Sequence, residues 1–131
     1  MARRAPANRA AASAMGRLTT HVLDTAHGRP AAGCALTLLR HDGNAFVLAA
    51  TTATNADGRC DRPLLEGEAL IAGRYRLVFA AGDYFRRQGV ALPEPPFVDE
   101  VVIDFGIAEP GAHYHVPLLV SPWSYATYRG S

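Results

Sequence analysis

Three polar clusters hold the residues able to do acid–base chemistry. The first is Thr19–Thr20–His21–Val22–Leu23–Asp24. The second is Asn55–Ala56–Asp57–Gly58–Arg59–Cys60, with Arg59 directly after a turn signal. The third starts at His113–Tyr114–His115 and runs on to the terminal Tyr128–Arg129–Gly130–Ser131. Imidazole has an ordinary pKa of about 6.5, so a histidine can both take and give a proton near neutrality. Guanidinium keeps its charge and presents a planar fork of donors that suits adjacent oxygens. Taken singly, each of these residues has an ordinary structural role: a satisfied strand histidine, a solvated arginine, a frayed chain end.

His113 and His115 first raise a metal question. Residues two apart on a strand share a face, so both imidazoles could reach one ion, with His21 as a third ligand if its strand lies alongside. No carboxylate or cysteine stands at ligand spacing, so no metal is expected. The sequence also lacks a Gly-x-Ser-x-Gly elbow, a glycine-rich phosphate loop and a zinc-ribbon cysteine set.

Short strands separated by turn signals must position these clusters. Leu18–Asp24 alternates, with His21 and Leu23 on one face and Val22 on the other. Gly28–Arg29–Pro30 interrupts, Cys34–His41 forms a second strand, Asp42–Gly43–Asn44 a hairpin turn, and Phe46–Thr54 a third strand. Asn55–Gly58 is a turn, followed by a short strand over Cys60–Leu65. Gly73–Ala80 sets Tyr75, Leu77 and Phe79 against Arg74, Arg76 and Val78. Asp83–Gln88 lacks alternation and reads as a single helical turn, and Pro93–Pro96 as a loop. Phe97–Ile107, His113–Val120 and Tyr125–Ser131 complete the set. The pattern predicts an all-β fold, an antiparallel β-sandwich of about eight strands with one short helix.

A chain of 131 residues, 49% hydrophobic and 19% charged, is globular and large enough for one core. Its net charge of +1 gives no long-range attraction to nucleic acid or anionic membranes, and neither is expected as a partner. Residues 1–16 carry Arg3, Arg4 and Arg9 among small residues without the continuous apolar stretch of a signal peptide. They read as a disordered tail, with Met15 as an alternative start, ahead of one domain over residues 17–131. A cytoplasmic location follows as an expectation. Cys34 and Cys60 are too few for a disulfide scaffold and read as two reduced, semi-buried thiols, a single bridge being the alternative.

The two ends of the chain carry a resemblance. Leu18-Thr-Thr-His-Val-Leu-Asp-Thr-Ala-His-Gly-Arg-Pro-Ala-Ala-Gly33 resembles the opening signature of the transthyretin-like family. His113-Tyr-His-Val-Pro-Leu-Leu-Val-Ser-Pro-Trp-Ser-Tyr-Ala-Thr-Tyr-Arg-Gly-Ser131 is similar to its closing signature, and order and spacing match along Leu18–Ser131. The family has a hormone-carrier branch and a hydrolase branch. Four marks define the hydrolase branch: a strand-one histidine, an arginine after an asparagine-containing turn, a histidine in Tyr-His-Val-Pro-Leu, and a terminal Tyr-Arg-Gly-Ser. His21, Arg59, His115 and Tyr128–Ser131 stand at those places, where the carrier has lysine, glutamate, threonine and an unrelated tail. Trp123, Ser124 and Ala126 depart from the tyrosine, glycine and serine common in the family.

The resemblance implies a transthyretin-like sandwich that assembles as a homotetramer, a dimer of dimers, with sites at the dimer–dimer contact. It implies that the small-molecule substrate is 5-hydroxyisourate, opened by attack of water on a cyclic amide, with no cofactor. His21, Arg59, His115 and Ser131 are then the catalytic residues, and His21, Arg59 and Tyr128 contact the substrate. One imidazole activates water while the other shuttles protons or polarises a carbonyl, with the assignment open. Arg59 would hold the substrate and stabilise the oxyanion. The hydroxyl and terminal carboxylate of Ser131 would position water. A face carrying His21 with Leu23, and His115 with Pro117 and Leu119, suits contact with another subunit. The rivals are a small-ligand carrier, a structural sandwich, and a metallohydrolase using His21, His113 and His115.

Overall fold

A computed structural model describes residues 16–130. The expectations for residues 1–15 and for Ser131 lie outside the described residues. Gly16, counted with the tail, is instead packed: it is buried, and its carbonyl accepts the Gly67 N–H at 2.9 Å.

Among the described residues nine strands, one 3-10 turn (Gly67–Ala69, after β5) and one α-helix follow in order: β1 (Arg17–Asp24), β2 (Arg29–Pro30), β3 (Ala35–His41), β4 (Phe46–Ala53), β5 (Leu65–Glu66), β6 (Gly73–Ala80), α1 (Ala81–Arg87), β7 (Glu100–Ile107), β8 (His113–Val120) and β9 (Tyr125–Thr127). One sheet runs β2-β1-β8-β9 with β5 also on β1, and the other runs β4-β3-β6-β7. The expected sandwich is present, with one correction. The central pair β1·β8 is parallel, so the first sheet is mixed. Residues 25–112 join these strands and supply the long crossover a parallel pair needs.

Period-two alternation builds the core. Leu18, Val22, Val116 and Leu118 face inward from one sheet, and Leu36, Leu38, Leu77, Phe79 and Val101 from the other. Tyr84 and Phe85 of α1 close one end of the core. Deeply buried Asp24, at the end of β1, accepts from the Tyr84 hydroxyl at 2.7 Å and from His27 through Nδ1 at 2.6 Å and the backbone N–H at 3.0 Å.

Several boundaries move. Cys60–Leu65 is not a strand: it bends past Pro63, which has no N–H to give a ladder, and only Leu65–Glu66 pairs with β1. β7 begins at Glu100 rather than Phe97, because Val98 instead donates its N–H to Pro122 at the sandwich end. β9 stops at Thr127 instead of running to Ser131. β4 stops before Thr54, whose buried hydroxyl donates to Ala31 and accepts from the Cys34 N–H. The helix is longer than the single turn expected. Cys34 is buried and Cys60 half-buried, and both are free thiols; burial pushes the Cys34 thiol up to about 11.

Candidate active site

The parallel register of β1 and β8 sets Arg17 opposite His113, Thr19 opposite His115 and His21 opposite Pro117. Thr19, His21 and His115 are half-buried on the outer face of the sheet, while Leu18, Thr20 and Val22 point into the sandwich. Leu23 and Leu119 are half-exposed on the same outer face, but Pro117 is buried.

Arg59 reaches this face through a tight turn. Asn55 Oδ1 accepts the N–H groups of Asp57 at 2.9 Å and Arg59 at 3.2 Å, closing the loop on itself. Gly58 then lies against β1, its carbonyl accepting the Val22 N–H at 2.8 Å. At φ +75 its backbone is left-handed, and a Cβ there would stand 2.5 Å from the Val22 carbonyl oxygen. Glycine is the residue that satisfies both demands. The result is an antiparallel bridge that seats Arg59 beside His21.

A cleft of about 410 Å³ opens here, lined among others by Arg17, Thr19, Arg59, Arg62, His113 and His115. Burial, then the Arg59 guanidinium, then His113 and His21 hold the His115 imidazole below its ordinary value. Burial and Arg59 do the same to His21, against a smaller opposing effect of Asp57. Both rings are therefore neutral near neutrality, which makes them proton acceptors. Neither ring is hydrogen-bonded to a carboxylate among the described residues. The Thr19 hydroxyl stands 2.8 Å from His115 Nδ1 and 3.0 Å from His113 Nε2, leaving His115 Nε2 as the nitrogen for the cleft.

The chain end packs behind His115. Gly130 donates its N–H to the His115 carbonyl at 2.8 Å, and a Cβ on Gly130 would lie 2.7 Å from His115 Cδ2. Any side chain there would push the ring. Tyr128 is not brought into this cleft: it is exposed beside Ile103, Tyr114 and Arg129. Ser131 follows Gly130 directly in sequence and is outside the described residues.

So Arg59 and His115 line the cleft, His21 sits beside Arg59 without being one of the lining residues, and Tyr128 stands apart within a single chain. Thr19 and Arg17 were not singled out from the sequence. Their alternation with His21 put them on its face, but only the β1·β8 register brings that face to His113 and His115. No three histidine, cysteine or carboxylate side chains converge as a metal-holding group among the described residues.

Fold and site together define a β-sandwich carrying a cleft rich in histidine and arginine on one sheet face. Residues 18–130 match the HIUase/Transthyretin family, and the chain belongs to it. It is 62% identical over 117 residues to the 5-hydroxyisourate hydrolase of Pseudomonas aeruginosa, covering 89% of this chain and 93% of that protein. It is 65% identical over 116 residues to the 5-hydroxyisourate hydrolase of Mesorhizobium japonicum, covering 88% and 93%. Among solved structures, the Klebsiella pneumoniae 5-hydroxyisourate hydrolase superposes with a TM-score of 0.73 at 38% identity, covering 89% of this chain and all of that one. Transthyretin from Sparus aurata superposes at 0.77 and 30% identity, covering 87% and 96%.

Proposed function

We propose that this chain hydrolyses 5-hydroxyisourate, opening its cyclic amide to give 2-oxo-4-hydroxy-4-carboxy-5-ureidoimidazoline. The grouping of Arg59 with His115 in one cleft, and of His21 beside Arg59, carries the proposal. Ring opening needs a base for the attacking water, a donor for the developing oxyanion and an acid for the departing nitrogen. Two imidazoles held neutral supply the proton transfers. The Arg59 fork holds adjacent carbonyl oxygens and offsets negative charge as it forms. A cleft lined by arginine and histidine suits a flat, polar purine derivative better than the apolar ligand of a carrier.

The proposal extends to the finer assignments. His21, Arg59, His115 and Ser131 act on the reaction, and His21, Arg59 and Tyr128 contact the substrate. The enzyme works as a cytoplasmic homotetramer, a dimer of dimers, whose unit is residues 17–131. Half-exposed Leu23 and Leu119 beside the cleft support a subunit contact there. Assembly would also bring Tyr128 to the site of a neighbouring subunit.

Ultraviolet decay of 5-hydroxyisourate, generated in place by urate oxidase, tests the reading. Wild-type protein is expected to accelerate decay, with the His115→Ala variant slower by a factor on the order of 10²–10⁴. Decay at the spontaneous rate in the presence of folded wild-type protein would sink it.

A further inference from the structure

The Thr19 hydroxyl is shared by two imidazoles. A hydroxyl has one hydrogen, so it donates to one ring nitrogen and must accept from the other. The two rings therefore carry complementary protons. With a hydrogen on His115 Nδ1, Thr19 accepts there and donates to His113 Nε2, and His115 Nε2 faces the cleft as a base. With Thr19 donating to His115 Nδ1, His113 Nε2 carries the hydrogen and His115 presents Nε2–H as an acid.

We infer that Thr19 and His113 are positioning residues for the hydrolysis, a relay that converts His115 from base to acid and passes the positive charge on to exposed His113. The inference rests on the hydrolase reading and deepens it. In the forward step the water O–H, His115 Nδ1–H and Thr19 Oγ1–H bonds break. New bonds to hydrogen form at His115 Nε2, Thr19 Oγ1 and His113 Nε2. Hydroxide adds to the carbonyl carbon, and the positive charge ends on His113. In the reverse step His115 Nε2–H protonates the departing nitrogen, and the chain returns to its starting state.

The surroundings favour that direction. Arg59 from the turn and His21 from β1 both disfavour a cation on half-buried His115. His113 is exposed, so water can solvate its imidazolium. The other charged groups lining the cleft are Arg17 at the start of β1, and Arg62 and Asp61 from the loop before β5, while Arg129 of the terminal segment lies 3.5 Å from the His113 carbonyl. Asp61 accepts from Asn55 Nδ2 at 3.0 Å, on the turn side.

The test compares kcat and KM across pH for wild type, Thr19→Val, Thr19→Ser, His113→Gln and the Thr19→Val/His113→Gln double variant. Thr19→Val and His113→Gln are each expected to lower kcat on the order of ten- to a hundredfold with little change in KM. The double variant should lose no more than either single one, because both break the same chain. Thr19→Ser should recover most of the rate. Losses that multiply in the double variant would overturn the relay. So would full kcat in both single variants of an active enzyme, leaving the hydrolase reading intact. A wild-type protein that does not accelerate decay would overturn both.

Discussion

The two faces of β1 carry two hydrogen-bonded histidine networks with opposite outcomes. On the inner face, Asp24 is fully buried and its carboxylate is saturated by Tyr84 and by two donors of His27. On the outer face, Thr19 and His21 meet His115 and Arg59 with no carboxylate bonded to either cleft imidazole among the described residues. Burial works to raise the Asp24 carboxyl, but the bonds from Tyr84 and His27 outweigh it and hold the group below 3.8. The Tyr84 hydroxyl is pushed up to about 12 by burial and by its bond to Asp24. That network spends its hydrogen-bonding capacity on itself and ties the end of β1 to α1. In the cleft, His115 Nε2 and the Arg59 guanidinium have no hydrogen-bond partner among the described residues. Unused capacity, rather than residue type, separates the reactive face from the structural one.

Arg59→Gln should break the reactive half hardest. Losing a donor aimed at a developing oxyanion is expected to lower kcat by a factor on the order of 10²–10³. The same change removes a cation that depresses both His21 and His115. Their values then rise, and the acid limb of kcat/KM moves to higher pH. A limb that stays in place, measured across pH 5 to 8, would separate Arg59 from the histidines.

Asp24→Asn should break the structural half and spare the chemistry. It leaves the Tyr84 hydroxyl and His27 with a poorer partner, and urea denaturation should show a loss of about 1–3 kcal/mol. Activity of the folded fraction is expected to hold. The pH signs follow from the shifts. Asp24 is depressed in the folded protein, so its stabilisation is present above 3.8 and lost as pH falls through its folded value. His21 and His115 are also depressed, so the unfolded chain takes up their protons more readily once pH falls below 6.5. Protonation of His21 and His115 should remove activity in mild acid at a limited cost in stability, while the Asp24 network lasts into stronger acid. Simultaneous loss of both would merge the two regions.

Gly130→Ala is the finest probe. The added methyl meets the His115 ring, so kcat should fall about tenfold through misplaced geometry, with a thermal midpoint near that of wild type. Unchanged kcat would mean that the ring position is not set by the chain end.

Much of this was legible in the residues. Alternation in β1 and β6 separated their buried and exposed faces, because a half-buried strand must alternate, whereas in β8 Pro117 is buried on the face it shares with His115. The Asn55–Gly58 turn was visible because only certain residues close such a loop. The short β5 and the truncated β9 were not legible. Their apolar residues look strand-like, but pairing depends on a neighbour and not on the local pattern.

By itself the sequence determined which side chains share a strand face, which turn precedes Arg59, and which polar residues are available for acid–base work. Local sterics and the two-residue repeat of a strand fix those properties within a few residues. Only the tertiary structure decided that β1 and β8 run parallel in a register that puts Thr19 beside His115, and that Gly58 and Gly130 close in behind the site. The β1·β8 contacts join residues 94 to 96 apart, and the glycine contacts also bridge separate elements. Burial of the entire core selects them, and no local pattern encodes that selection.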